Sequence, residues 1–251
     1  MTTRTAPKKA ARRKAPAKKK ATARKAAPAK AAAKPAKKKP TPKTAEMVIK
    51  APSYKTVLIH IKGSTPLMIN AFSRRKRSEM QAMQEGGDAA KQLKKPRSAK
   101  DFDREYREAA HVSSAGWHGI HAAAFRNAFI ASCKVAGAVM AKAKLAVWIT
   151  ADGYDADSSD PLVRIYGKPH MDIRPVRVGM GKMDLRSRPI YPEWKVRLRI
   201  NFDEDVFSIE SIYNLVIRAG VQVNVGEARN DSKSGNGMGF GQFEIVDAKD
   251  W

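Results

Sequence analysis

The chain has 251 residues, a formal net charge of +25 and one cysteine, Cys133, so an internal disulfide is excluded and one or two domains are expected. Of the 49 Lys and Arg residues, 17 fall in residues 1–46 beside a single acid, Glu46, which separates a strongly basic segment from a nearly ordinary remainder. There is no run of 18 apolar residues and no signal peptide; the expectation is therefore a soluble protein of the cytoplasm or nucleoid, with no membrane partner.

Residues 1–46, with KKAARRKAPAKKKATARK among them, consist almost wholly of Ala, Lys, Arg, Pro and Thr. No Leu, Ile, Val or aromatic side chain precedes Met47, so burial cannot offset the entropy of ordering; a disordered basic tail is expected. Such a tail either keeps the protein in solution or binds polyphosphate by releasing condensed counterions. From residue 47 to 251 the composition is that of a folded domain. KTVLIHIKG (Lys55–Gly63) alternates as a strand, and a helix is expected over Ala71–Glu85, carrying Arg74, Arg75 and Arg77. A mobile basic loop near residues 86–100 comes next, then a short helix or edge strand in Asp101–Val112. Apolar residues at helical spacing define a helix over Ile120–Val135, and LAVWIT, LVRIYG and MDIRPVRV read as strands, the last opening a basic hairpin near residues 170–192.

EWKVRLRINFD has the clearest alternation: Val196, Leu198, Ile200 and Phe202 on one face, Lys195, Arg197, Arg199 and Asn201 on the other. Ser208 caps a helix with Ile209, Ile212, Leu215, Val216 and Ala219 towards the core and Gly220 as its stop. Val221–Val225 reads as a further strand, followed by a glycine-rich loop and the strand QFEIV. The pattern predicts an α+β fold: an antiparallel, mostly four-stranded sheet with helices on one face, ferredoxin-like and similar to an RNA-recognition motif.

Within GEARNDSKSGNGMGFGQ the glycines Gly235, Gly237, Gly239 and Gly241 alternate. A P-loop needs GxxxxGK[ST] before a helix, and a dinucleotide fingerprint must open a βαβ unit; here a strand follows and the loop closes the chain. No nucleotide cofactor is therefore expected, and no small-molecule substrate. What remains is a plain hairpin, or a loop whose bare amides approach a phosphodiester backbone with Arg229 and Lys233 adding charge. Arg177, Lys182, Arg186 and Arg188 of the hairpin, with Tyr191 and Trp194 to stack on bases and Lys195, Arg197 and Arg199 on the sheet, complete a candidate single-strand interface.

On Val225-Gly226, Lys233 and Gly239-Phe240-Gly241, preceded by a β–α–β segment, the chain resembles the RAMP superfamily, the RNA-recognition-motif-like proteins of CRISPR effector complexes and their phage or mobile-element relatives. Ala228 stands where that family's second glycine would be. The small-residue helix GIHAAAFRNAF resembles the helix that packs against the first strand in such proteins, and the tail resembles in composition those of linker histones and some bacterial histone-like proteins. The resemblance implies a non-enzymatic protein that binds single-stranded DNA or RNA and multimerises along it, in replication, recombination or a CRISPR-like complex. Two rivals are a duplex-DNA compaction protein acting through its tail and a RAMP-type endoribonuclease. For the latter, His118 and His121 are the best-placed general bases. No metal site is expected, because the His residues and Cys133 lack ligand spacing and Asp152, Asp155, Asp157 and Asp160 lack the EF-hand pattern, which leaves a solvated acidic turn.

Overall fold

A computed structural model describes residues 49–86, 99–178, 182–232 and 237–251. The basic tail, residues 87–98 of the expected loop, Lys233 and Gly235 lie outside the described residues. In chain order the elements are β1 (Tyr54–Gly63), β2 (Leu67–Met68), α1 (Arg74–Glu85), α2 (Phe102–Glu108), β3 (His111–Val112), β4 (His118–His121), α3 (Ala122–Val135), α4 (Met140–Ala146), β5 (Val147–Thr150), β6 (Gly153–Tyr154) and β7 (Pro161–Arg164). There follow β8 (His170–Val178), β9 (Lys182–Tyr191), β10 (Lys195–Asp203), α5 (Ile209–Arg218), a π-helical turn (Ala219–Val223) and β11 (Phe243–Val246).

The fold is α+β. Its main sheet has the order β11-β1-β10-β5, antiparallel throughout. Strict alternation along β1 and β10 gives this sheet one apolar face. Ile59, Ile61, Val196, Leu198, Ile200 and Phe202 are buried, in one cluster with Phe125, Phe129 and Cys133 of α3 and Ile212, Leu215 and Val216 of α5. The register sets Leu58 opposite Arg199, His60 opposite Arg197 and Lys62 opposite Lys195, so the face away from the helices is the polar one. Ser208 accepts from the Ser211 amide and caps α5 as expected, whereas Ile209 is exposed.

Two smaller sheets flank the main one. β2, β9 and β8 form a three-stranded sheet around the basic hairpin, and β3, β4, β7 and β6 form a four-stranded one that the sequence pattern did not reveal. Its strands run two to four residues, too short for alternation to show.

The strand expected at Val221–Val225 does not form. The chain instead continues α5 as a wider π-helical turn, ending at Asn224 with φ 67° and ψ 176°. Alternating Val and polar residues suggested a strand, but tertiary packing decides otherwise: Ala219, Gly220 and Val223 are buried in that turn. Gly220 is therefore no helix stop. A side chain there would collide with the carbonyl of Phe243 in β11, so glycine lets the turn press against the edge strand.

Candidate nucleic-acid interface

The polar face of the main sheet carries rings as well as charge. Tyr54 meets Trp148 edge-on with centroids 4.7 Å apart. Further along, Trp251 folds back beside His60 at 5.2 Å and Tyr166 at 4.8 Å. Arg197 lies over both Trp251 (5.0 Å) and Tyr166 (5.5 Å) and donates to the Tyr166 hydroxyl at 2.7 Å. Arg164 also lies over the Tyr166 ring, at 5.0 Å. Arg199 is held by Asp152 at 2.8 Å and by the Ala151 carbonyl. Of the expected sheet cations, Arg197 and Arg199 are thus exposed but already oriented by neighbours, and Lys195 is half-buried across from Lys62, which has Glu244 on its other side. Trp148, Tyr166 and Trp251 were missed as ring contributors. Their signal in the sequence is weak, because no single strand carries them all.

The expected stacking pair is in the wrong place for that role. Tyr191 and Trp194 are 1% exposed; Trp194 Nε1 donates to the Thr65 carbonyl at 2.8 Å and the Tyr191 hydroxyl meets His118 Nδ1 at 2.8 Å. Both rings belong to the core and have no free face for a base. Burial pushes the Tyr191 hydroxyl well above the usual phenol range.

The hairpin residues divide in the same way. Arg177 is exposed, and Lys182 begins β9 opposite Val178. Arg186 reaches Asp184 at 3.8 Å. Arg188 is not a surface cation: it is buried, its Nε has no hydrogen-bond partner among the described residues, and Glu227 stands 3.7 Å from its Nη1. Burial pulls its pKa below the ordinary guanidinium value, with Glu227 opposing. On α1, Arg75 is tied to Glu79 and Glu108. Arg74 points outward, 3.9 Å from Asp157, and Arg77 borders a cleft shared with His111, His121 and Asp155.

In the glycine-rich segment, Gly241 is glycine for the chain's own sake. It has φ 71°, and a Cβ there would collide with the Val225 carbonyl. A Cβ would meet nothing within 4 Å at Gly237 and only the ends of Gln242 and Asn230 at Gly239; Gly237 is exposed, while the Gly239 carbonyl accepts from the Thr65 hydroxyl at 2.9 Å. Arg229 donates to the Gly226 carbonyl at 3.1 Å, and the segment touches the hairpin where Arg174 lies over Phe240 at 4.9 Å.

The candidate pair His118 and His121 is split. Residues three apart on β4 point to opposite faces, so His118 faces Tyr191 while His121 Nε2 meets His111 Nδ1 at 3.2 Å and Asp160 at 3.7 Å. His111 also meets Asp155 at 3.1 Å. Burial, then the neighbouring His121, holds the His111 pKa below the usual value; burial alone does so for His118. The acidic turn is not simply solvated. Asp155 is 8% exposed and accepts from the amides of Asp157 and Ser158. Burial raises its pKa, but those amides and His111 outweigh it and the net shift is downward. Among the described residues, no three His, Cys, Asp or Glu side chains form a metal-binding group, and no helix is long and apolar enough to cross a membrane. No family model matches this chain, and no curated protein matches it.

Proposed function

We propose that the chain is a non-enzymatic protein that binds single-stranded nucleic acid on the ring-bearing face of its main sheet, with a RAMP-like, RNA-recognition-motif-like core. The observation that carries this reading is that face: Tyr54, Trp148, His60, Tyr166 and Trp251 sit among Arg164, Arg197, Arg199 and the Lys62–Lys195 pair, with the helices on the other side. Rings offer sequence-tolerant stacking and the guanidinium planes add charge, which is the combination an extended strand needs.

Two further features support the family resemblance. Taken in chain order, the strands of the main sheet lie as fourth, first, third, second, with α3 joining the first to the second and α5 the third to the fourth, as in a ferredoxin-like fold. Ala228, at the family's second glycine position, adopts φ 56°, the left-handed backbone for which glycine is the usual residue. Homo-oligomers along a strand, and a role in phage or mobile-element DNA metabolism or a CRISPR-like complex, belong to the same reading.

The test compares the full chain with one lacking residues 1–46, using labelled single- and double-stranded DNA and RNA across a salt series. We expect the shortened chain to retain a preference for single strands. The tail should add affinity without preference and steepen the salt dependence. Binding by the full chain alone, equal for every nucleic acid, would overturn this reading in favour of duplex compaction through the tail. Cleavage of RNA without added metal, lost in His121→Ala, would replace it with the nuclease.

A further inference from the structure

The helix side of the main sheet has two openings of different chemistry. A cavity of about 440 Å³ beside Asn224 is walled in part by titratable groups, His111, His121, Glu227, Arg229 and Asp231. A groove of about 680 Å³ along α5 is mostly apolar: Ala136, Ala138, Phe207, Leu215, Ile217 and Val221 line it. Among the described residues, Arg218 is its only charged wall.

A surface helix ordinarily turns one apolar stripe to the core and polar residues to solvent. α5 and the π-helical turn after it do more. Ile212, Leu215, Val216 and Ala219 are buried, as that rule requires. On the outside, Ile209, Tyr213, Ile217 and Val221 recur every four residues and are between 37% and 62% exposed. They form an apolar row about 18 Å long. A second exposed row runs beside it: Glu210, Asn214, Arg218 and Gln222. Among the described residues, neither Glu210 nor Arg218 has an ion-pair partner.

We propose that this outer face of α5 is an interface with a second copy of the chain, the two helices packed antiparallel across a two-fold axis. Such an axis sets each row against itself in reverse. Ile209 then meets Val221 of the other copy, Tyr213 meets Ile217, and Asn214 meets its own counterpart. Glu210 meets Arg218, twice in each dimer. The face is therefore self-complementary in charge as well as in apolar surface, and the opposed helix dipoles add to the fit. Rows at four-residue spacing are the ridges that interdigitate in the commonest helix–helix packing, and the groove beside them leaves room for a ridge of the other copy. Residues 1–46 do not suit this face, because they hold no Leu, Ile, Val or aromatic side chain to cover the apolar row. A nucleic acid does not suit it either: Arg218 is the one cation in the two rows, and Glu210 offsets it.

The buried row of α5 packs onto the apolar face of the main sheet, so its outer rows point away from the ring-bearing face. The dimer is then layered as sheet, helices, helices and sheet, with both ring-bearing faces outermost. One dimer would hold two strands, one on each side. That consequence rests on the sheet-face reading; the dimer itself does not.

The test follows the mass of the full chain by sedimentation velocity at about 0.3 M salt, where the charge of residues 1–46 is screened beyond about 6 Å. Monomer should pass to dimer below about 100 µM, as a small interface allows. Ile217→Asp, in the middle of the exposed row, should remain monomeric with an unchanged circular dichroism spectrum. Glu210→Arg and Arg218→Glu should each weaken association about tenfold, since either sets like charges face to face twice per dimer. The double reversal should restore association to within about threefold of wild type. It also opposes the helix dipole at both ends, so in dilute solution it should melt lowest of the three charge variants while dimerising best. A role confined to the stability of one chain predicts the same order in both measurements. The proposal is overturned if wild type stays monomeric throughout that range, which would leave the row to a different protein. It is equally overturned if Ile217→Asp still dimerises, or if the double reversal associates no better than the single ones. Failure of the sheet-face reading gives a different result: a dimer that assembles and answers to these variants but brings no two labelled strands together.

Discussion

The open sheet face and the cavity around Asn224 handle their polar groups in opposite ways. On the sheet, Thr56 donates to Asn201 at 2.6 Å and Asn201 to Thr150 at 2.5 Å, while Arg197 and Arg199 have partners of their own. At Asn224, a buried amide has no hydrogen-bond partner among the described residues and sits on a strained backbone. The first arrangement is a preformed platform: its groups are already oriented, so a ligand meets rings and cations at little reorganisation cost. The second is stability given up at one point, in a desolvated amide and a left-handed backbone.

Removing rings tests the platform hardest. Tyr54→Ala with Trp148→Ala should weaken single-strand binding by about 2–4 kcal/mol, roughly 30- to 1,000-fold, because each stacked base is worth about 1–3 kcal/mol. Fluorescence titration of the shortened chain measures this, and a loss below threefold would break the assignment.

Stability sharpens the contrast. Asn224→Gly relieves strain and a buried unsatisfied amide, each about 1–3 kcal/mol, against about 0.5–1 kcal/mol of extra chain entropy. A net gain of about 2 kcal/mol is expected in chemical denaturation. Arg197→Ala should go the other way by about 0.5–1 kcal/mol, since an exposed guanidinium over a ring is worth that much. Ala228→Gly, at φ 56°, should gain about 1 kcal/mol, read from the same denaturation curves. If Asn224→Gly and Arg197→Ala both destabilise, the two regions are alike after all.

Much of the frame was legible in the sequence. Alternation in β1 and β10 identified both strands and their buried faces, and Ser208 marked the start of α5, because one-face burial and capping are local signals. The site was less legible. Tyr191 and Trp194 lie next to a basic strand in sequence, yet their rings turn inward, and nothing local reports that Trp194 donates to Thr65. Trp251, Tyr166 and Arg197 converge from three separated segments. Asn224 was hidden inside an apparent strand, since a single π-helical turn is too short to show a period and goes with the packing of Gly220 against β11.

The smallest expected effect concerns the histidines at and near the cavity. His111 faces His121, Asp155 and Asp160, and His118 faces Tyr191. Both have folded pKa values below the ordinary 6.5, for burial first and, at His111, the neighbouring His121 second. Between the depressed folded value and 6.5 the unfolded chain binds more protons than the folded one, so stability rises with pH there. The contribution is fully present above 6.5 and is lost as the pH falls towards the folded values. Asp155 titrates in the opposite setting. Its folded pKa is held below 3.8, so it stays ionised through this window and withdraws its contribution only in stronger acid. Melting temperature should therefore fall between about pH 7 and pH 5, and His111→Gln with His118→Gln should flatten that slope. An unchanged slope in the double variant would mean that neither ring is kept neutral by its surroundings.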